Sequence, residues 1–331
     1  MDLRQSIFKA RTTTTTTASD DPGATQGLDP LPWSKYFDTR TEITNNEDTT
    51  FNVYASGLTN TTGPVFMFHH GAGHSGLTFG LVSKHITQVV SGCTVIAPDA
   101  RGHGLTTGDN EDDLSLQRLV SDYICVAKNV LGDQTRDIVL VGHSMGGAVM
   151  AHVADTRQLH RVVGLILIDI VEGSAVDSLS AIPMFIAARP SSFSSVQSAI
   201  KWHIDSETIL NPESARLSVP SLIVKQKDFL WTWRTQLMPS EKYWRGWYTG
   251  LSKTFVKAAT AKLLVLAGTD RLDKELLIAQ MQGKFQLELL PAAGHTIQED
   301  LPDRVGDVIV TFWRRNQPLD ISSIRRQLPT N

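Results

Sequence analysis

Asp137–Met150, DIVLVGHSMGGAVM, is the stretch on whose reading the rest of the chain depends. Ile138, Val139, Leu140 and Val141 make a short apolar run of the kind that becomes a buried strand. Ala148 and Val149 begin a segment that reads as helix. Between them lies G-x-S-x-G: Gly142, His143, Ser144, Met145, Gly146. That spacing predicts a sharp strand-to-helix turn with the Ser144 hydroxyl lifted out of the sheet. Gly142 and Gly146 suit a turn that presses strand and helix backbones together, where a Cβ would clash. The helix N-terminus would bring a positive dipole end and free N–H groups to the place where an oxyanion forms. The bland alternative is a glycine-rich turn; the flanking strand and helix patterns favour a nucleophile.

Upstream, Pro64–His69 (PVFMFH) reads as another buried strand. It leads into His70-Gly71-Ala72-Gly73-His74-Ser75. An H-G-x-G loop in this place supplies the second backbone N–H of an oxyanion hole, so the expected donors are Ala72 and Met145. Residues 31–68 as a whole read as antiparallel strands, with Thr50–Tyr54 alternating and Trp33–Phe37 aromatic. Thr94–Pro98 is a strand ending in Asp99-Ala100-Arg101-Gly102-His103-Gly104, a turn expected to be structural. Leu114–Leu131 has helical periodicity.

Downstream, Val162–Asp169 (VVGLILID) is apolar throughout until its final acid, as in a parallel strand covered on both faces. Residues 174–258 break the alternation of strand and helix. They read as a helical cap carrying five of the seven tryptophans, a composition that suits a binding face. Ala261–Ala267 resumes the core, followed by Asp270 and Asp273, a helix over Lys274–Met281, a last strand at Phe285–Leu290, Gly294-His295, and a closing helix over Pro302–Asn316. The expected divisions are a disordered tail over 1–30, core over 31–173, cap over 174–258, core over 259–316 and a tail over 317–331. The fold class is α/β, a mostly parallel central sheet flanked by helices, with a helical cap insertion.

A serine hydroxyl needs a general base, and the base an orienting carboxylate. His295, late in the chain after the last strand, is the expected base, and the order serine, acid, histidine fits. The acid stays open on these grounds: Asp270, or Asp273, follows one buried strand and Asp169 ends another. The reaction class is acyl transfer to water, with an ester the better substrate because alkoxide leaves more easily than amide.

Composition narrows the rest. A chain of 331 residues, 41% hydrophobic and 20% charged, can hold one α/β unit with an insertion. Its net charge of −3 argues against a nucleic-acid binder and against a polybasic membrane patch. No apolar run approaches the roughly 18 residues of a membrane helix. With no apolar secretion segment and only Cys93 and Cys125, both read as thiols, the expected location is cytoplasmic or nuclear. Neither H-E-x-x-H nor paired cysteines at zinc spacing occurs, and no G-x-G-x-x-G loop, so no metal or cofactor is expected.

Eight segments together resemble the protein phosphatase methylesterase family: PWSKYF (Pro32–Phe37), HHGAGHS (His69–Ser75), DARGHG (Asp99–Gly104), VGHSMGGAV (Val141–Val149), IDIVEGSAVDSL (Ile168–Leu179), SEKYWRGW (Ser240–Trp247), LAGTDRLDKELLIAQMQGKFQ (Leu266–Gln286) and GHTIQEDLPDRV (Gly294–Val305). The elbow and the DARGHG turn are shared by many α/β-hydrolases; the VEG, SEKYW and DRLDKELLIAQMQGKFQ segments are more family-specific. The resemblance implies an esterase that removes the methyl ester from the C-terminal leucine of the protein phosphatase 2A catalytic subunit. It implies Ser144 as nucleophile, His295 as base and Asp169, rather than Asp270, as acid. It also implies a resting triad that aligns only when the phosphatase docks. Two departures stand out: Lys225–Pro239 is short and not acidic where the family often has a long acidic insertion, and Ala72 replaces a common glycine. The rival readings are a small-molecule carboxylesterase or lipase and a non-catalytic binding protein on the same fold.

Overall fold

In the computed structural model, residues 25–45, 49–227, 229–268 and 272–317 are described. The six-threonine run, Asp270 and most of the C-terminal tail therefore lie outside the described residues. Strands β1 (Thr39–Thr44), β2 (Thr50–Ser56), β3 (Val65–His69), β4 (Thr94–Pro98), β5 (Ile138–His143) and β6 (Val162–Ile168) precede the cap. A hairpin of β7 (Ile223–Lys225) and β8 (Trp231–Trp233) lies within it, and β9 (Ala261–Leu266) and β10 (Gln286–Leu289) follow. Eight strands form one sheet in the order β1-β2-β4-β3-β5-β6-β9-β10. From β4 to β10 every pairing is parallel; only β1–β2 and β2–β4 are antiparallel.

The two faces of the sheet are covered separately, which is what the apolar strands require. Along β5, Ile138 and Leu140 face one buried cluster, with the helices Leu116–Leu131 and Met145–Thr156. Val139 and Val141 face the other, with the helices Gly80–Val89 and Pro302–Arg315. A third, smaller cluster of Phe193, Ile200, Ile209, Val219 and Ile223 holds the cap together.

Three expectations are corrected. Pro64–His69 belongs to the parallel part of the sheet, pairing with β4 and β5, so residues 31–68 are not all antiparallel. An apolar run of this kind carries no mark of strand direction; direction follows from the crossover, which sequence alone does not show. The cap is not wholly helical, because β7 and β8 pair within it. The helix Gly80–Val89, with Val82 and Ile86 buried, has no counterpart in the expectations from sequence.

Candidate active site

The parallel register sets the site's geometry before any side chain is placed. His143 at the end of β5 pairs with Ile168 at the end of β6, so Ser144 and Asp169 leave neighbouring strands at the same level. Both then adopt positive φ, 52° for Ser144 and 49° for Asp169, backbone that L-residues other than asparagine or aspartate seldom hold. Ser144 occupies the N-cap position of the helix Met145–Thr156 without a side-chain cap bond. The tightness of the turn shows at the glycines: a Cβ on Gly142 would lie 2.2 Å from the Gly146 oxygen, and one on Gly146 would lie 2.2 Å from the His69 oxygen. The reading of both glycines as close backbone approaches therefore stands.

His295 arrives from the loop after β10. Its Nδ1 lies 2.7 Å from Asp169 Oδ2, and Asp169 Oδ1 accepts from the Ala267 N–H at 3.1 Å. Asp169 is thus a carboxylate fixed on one side by β9 and presented to an imidazole on the other. Asp273 is occupied elsewhere: it caps the helix Lys274–Met281 through the Leu276 N–H and accepts from the Ser252 hydroxyl.

Ser144 is not joined to His295 by any hydrogen bond found among the described residues. Tyr248 lines the cavity that holds Ser144, and burial pushes its phenol up to about 12, with Ser144 acting weakly in the other direction. Ser144, Asp169 and His295 nevertheless share one cavity of about 500 Å³ with Ala72, Arg189, Trp202, His203, Trp233, Trp244, Trp247 and Tyr248. Four of the five cap tryptophans line it, in agreement with a binding face.

Of the two expected oxyanion donors, Met145 directly follows the serine and Ala72 lines the same cavity. Met145 is the first residue of its helix, where N–H groups have no intrahelical partner. Ala72 lines the cavity and is not among the residues with positive φ; Gly73 takes that conformation at 78°, so a side chain at 72 costs nothing in backbone strain.

Sequence reasoning missed what holds the loop. His103 Nδ1–H donates to the Arg101 oxygen, which leaves Nε2 to accept the Gly73 N–H at 2.9 Å. His70 does likewise, Nδ1–H to the Gly71 oxygen and Nε2 from the Ala100 N–H. His143 Nε2–H donates to the His295 backbone oxygen at 2.9 Å. Burial holds all three far on the neutral side, His103 at about 4 and His70 and His143 well below their ordinary value. A neutral imidazole offers one donor and one acceptor, both of which are used at His70 and His103, while His143 Nδ1 is buried without a partner. The only signal in the sequence was the density of histidine around glycine in HHGAGH, RGHG and VGHS.

The DARGHG turn is structural. Asp99 accepts from the Gly76 and Leu105 N–H groups and from the Asn52 amide, while Arg101 forms a bidentate pair with Asp122. Behind His295, Asp300 accepts the Gly294 and Leu210 N–H groups, fastening the histidine loop to the cap. No group of three or more metal-ligating side chains is found among the described residues.

Comparison with known proteins adds to this geometry. The model of the alpha/beta hydrolase family matches residues 66–308. A Caenorhabditis elegans protein named probable protein phosphatase methylesterase 1 is 42% identical over 316 residues, covering 95% of this chain and 85% of its own. The Homo sapiens protein phosphatase methylesterase 1 is 37% identical over 341 residues, covering 89% and 87%. Among solved structures, an E-2-(acetamidomethylene)succinate hydrolase superposes with a TM-score of 0.68 at 19% identity, covering 83% of this chain and 99% of that one. That last likeness bears on fold alone.

Proposed function

The chain belongs to the protein phosphatase methylesterase family of α/β-hydrolases, and on that premise we propose that it hydrolyses the methyl ester on the C-terminal leucine of the protein phosphatase 2A catalytic subunit. The observation that carries the mechanism is the 2.7 Å contact between His295 Nδ1 and Asp169 Oδ2, made beside a serine at the crest of the sheet. The contact leaves His295 Nε2 to act as the base toward Ser144.

Ser144 Oγ attacks the ester carbonyl while His295 Nε2 takes its proton. Asp169 keeps the ring oriented and stabilises the imidazolium. The tetrahedral oxygen is received by the N–H groups of Ala72 and Met145, each worth roughly 3–4 kcal/mol in the transition state. The C–O bond to the methoxy group breaks, and His295 returns the proton so that methanol leaves. A water molecule, deprotonated by His295, then attacks the acyl-serine; the leucine carboxylate is released and Ser144 regains its proton. Since no hydrogen bond joins Ser144 to His295 among the described residues, the hydroxyl has to turn toward His295 before the first step, which supports a resting enzyme that is weak until the phosphatase tail is seated.

The direct test is incubation with methylated phosphatase 2A core enzyme, reading the mass of the tail. Loss of 14 Da with wild type and none with Ser144→Ala is the expected result, roughly the mass of one CH₂. A Ser144→Ala variant that still demethylates refutes the mechanism. For the acid, Asp169→Asn should lower kcat by about 10³–10⁴-fold, and Asp270→Asn far less; the reverse order moves the assignment to Asp270.

A further inference from the structure

The cap wall of the cavity carries two polar groups that the esterase steps do not use. Arg189 ends the helix Ile182–Ala188, and Pro190 after it pushes its backbone to φ −73°, ψ 150°. Leaving the helix there, the side chain comes to line the cavity. Its guanidinium carbon lies 4.3 Å from the centre of the Trp233 ring. The Trp233 indole N–H donates to the Pro190 oxygen at 2.8 Å, so the same turn fixes both cation and ring. Arg189 Nε is buried with no hydrogen-bond partner, and no carboxylate lies within 4 Å of the guanidinium among the described residues.

His203 approaches the same indole, with ring centres 5.6 Å apart. Its Nδ1 is bonded to Thr208 Oγ1 at 2.8 Å, while Nε2 is buried without a partner. His203 also lines the cavity and is itself buried. Desolvation leaves it neutral, at about 3, and draws the Arg189 guanidinium down to about 10. Two carboxylates stand in the cavity wall, Asp169, held by His295 and Ala267, and Glu207, and neither forms an ion pair with Arg189 among the described residues. A cation taken out of water without a counter-ion is costly, and proteins keep one where a ligand brings the missing charge. Stacking over Trp233 offsets part of that cost and leaves the planar guanidinium edge free for a bidentate acceptor.

We propose that Arg189 and His203 form an acyl-side subsite for a carboxylate, so that the enzyme reads an acidic side chain carried a few residues before the esterified leucine. The proposal rests on the assignment of Ser144 and His295 as ester-cleaving machinery. Arg189 supplies two parallel N–H donors, and His203 adds Nε2–H once the Thr208 hydroxyl, which donates to the His203 carbonyl oxygen at 3.1 Å, turns to Nδ1 instead. Neutral small esters leave the pair unmatched, which separates a peptidyl substrate from a small-molecule one by charge as well as size.

The test uses the full chain and hexapeptide methyl esters ending in leucine. One glutamate is placed two, three or four residues before the ester, and each peptide is compared with its glutamine counterpart. Wild type should prefer one acidic register by about tenfold or more in kcat/KM, with the difference in KM. In Arg189→Gln that preference should fall to about one, in Arg189→Lys it should be partly kept, and in His203→Gln reduced. No acidic preference in wild type, or a preference unchanged in Arg189→Gln, overturns the subsite. Should Arg189→Gln prove unfolded by thermal melting, the wild-type registers and Arg189→Lys still decide. The other carboxylate available is the product: if Arg189→Gln weakens only inhibition by the free-acid glutamine peptide, the side-chain reading is overturned. Failure of wild type to cleave any of these esters, with no labelling of Ser144 by a fluorophosphonate, would sink the esterase assignment instead.

Discussion

Tyr248 shows how much a single hydroxyl can govern in a dry cavity. It is buried and lines the cavity together with the nucleophile. Replacing it with phenylalanine keeps the ring and removes a hydroxyl toward which Ser144 Oγ can turn. A neutral hydrogen bond is worth about 1 kcal/mol net, so Tyr248→Phe should label with a fluorophosphonate roughly fivefold faster in the absence of any phosphatase. An unchanged labelling rate would mean that this hydroxyl does not hold the serine. Glu299 gives a second prediction at this scale. It is fully buried beside His74 Nδ1, at 3.9 Å, and accepts from the Ser218 hydroxyl. Burial, reinforced by Asp300, pushes its carboxyl from 4.5 up to about 8. The folded chain therefore holds a proton that the unfolded chain gives up above 4.5. Stability falls as pH rises from about 4.5 to about 8 and levels off beyond. Glu299→Gln, which has no proton to lose, should match wild type near pH 4.5 and exceed it by on the order of 5 kcal/mol at pH 9 in urea unfolding. Parallel curves for the two proteins would contradict this.

The elements divide into those whose local chemistry named them and those that only the tertiary context made. The elbow was legible because three constraints coincide in ten residues: an apolar strand, two glycines at a close approach, and a helix start. His295 was legible from its order in the chain. The acid was not, because the strands preceding Asp169 and Asp270 are β6 and β9, which lie side by side in the sheet. Periodicity places both at a carboxyl end and has no way to say which faces the histidine. The β7–β8 hairpin was missed because Ile223–Lys225 and Trp231–Trp233 are three residues each, too short for alternation to register. Two glycines test the reading of these elements. Gly146→Ala puts a Cβ 2.2 Å from the His69 oxygen and 2.5 Å from the His70 oxygen. That clash has no flexible partner, and the variant should lose about 3 kcal/mol or more, or fail to fold. Gly246, inside the helix Glu241–Tyr248, has nothing within 4 Å of an added Cβ. Gly246→Ala should gain about 0.5–1 kcal/mol by thermal unfolding. Equal effects at the two positions would show that the elbow is looser than its geometry.

Across the whole molecule, cap and core are stitched together at points well apart. Arg234, just after β8, forms a two-toothed pair with Glu111 at 2.9 Å for each contact, and donates to the Gly104 and Thr106 oxygens. Trp247 donates to the Leu114 oxygen, Glu172 receives the N–H groups of Gly250 and Ser252, and Asp300 joins the histidine loop to Leu210. Arg234 ties the cap hairpin to the turn whose His103 holds Gly73. A double-mutant cycle of Arg234→Ala and Glu111→Ala should give a coupling of about 1–2 kcal/mol, reduced from a buried pair by partial exposure. A coupling near zero would make this seam incidental.

The two backbone torsions at Ser144 and Asp169 bear on what kind of protein this has remained. Ser144 sits where glycine would rest more easily, at a cost of about 1–2 kcal/mol, and Asp169 bears a smaller one because aspartate tolerates positive φ. A descendant that had abandoned hydrolysis and kept only its shape would be free to shed that burden, and drift to glycine at both strand tips would be the cheapest way to do so. Serine at the first of these tips bears a backbone cost that glycine would escape, and what it brings in exchange is a hydroxyl in the wall of the cavity.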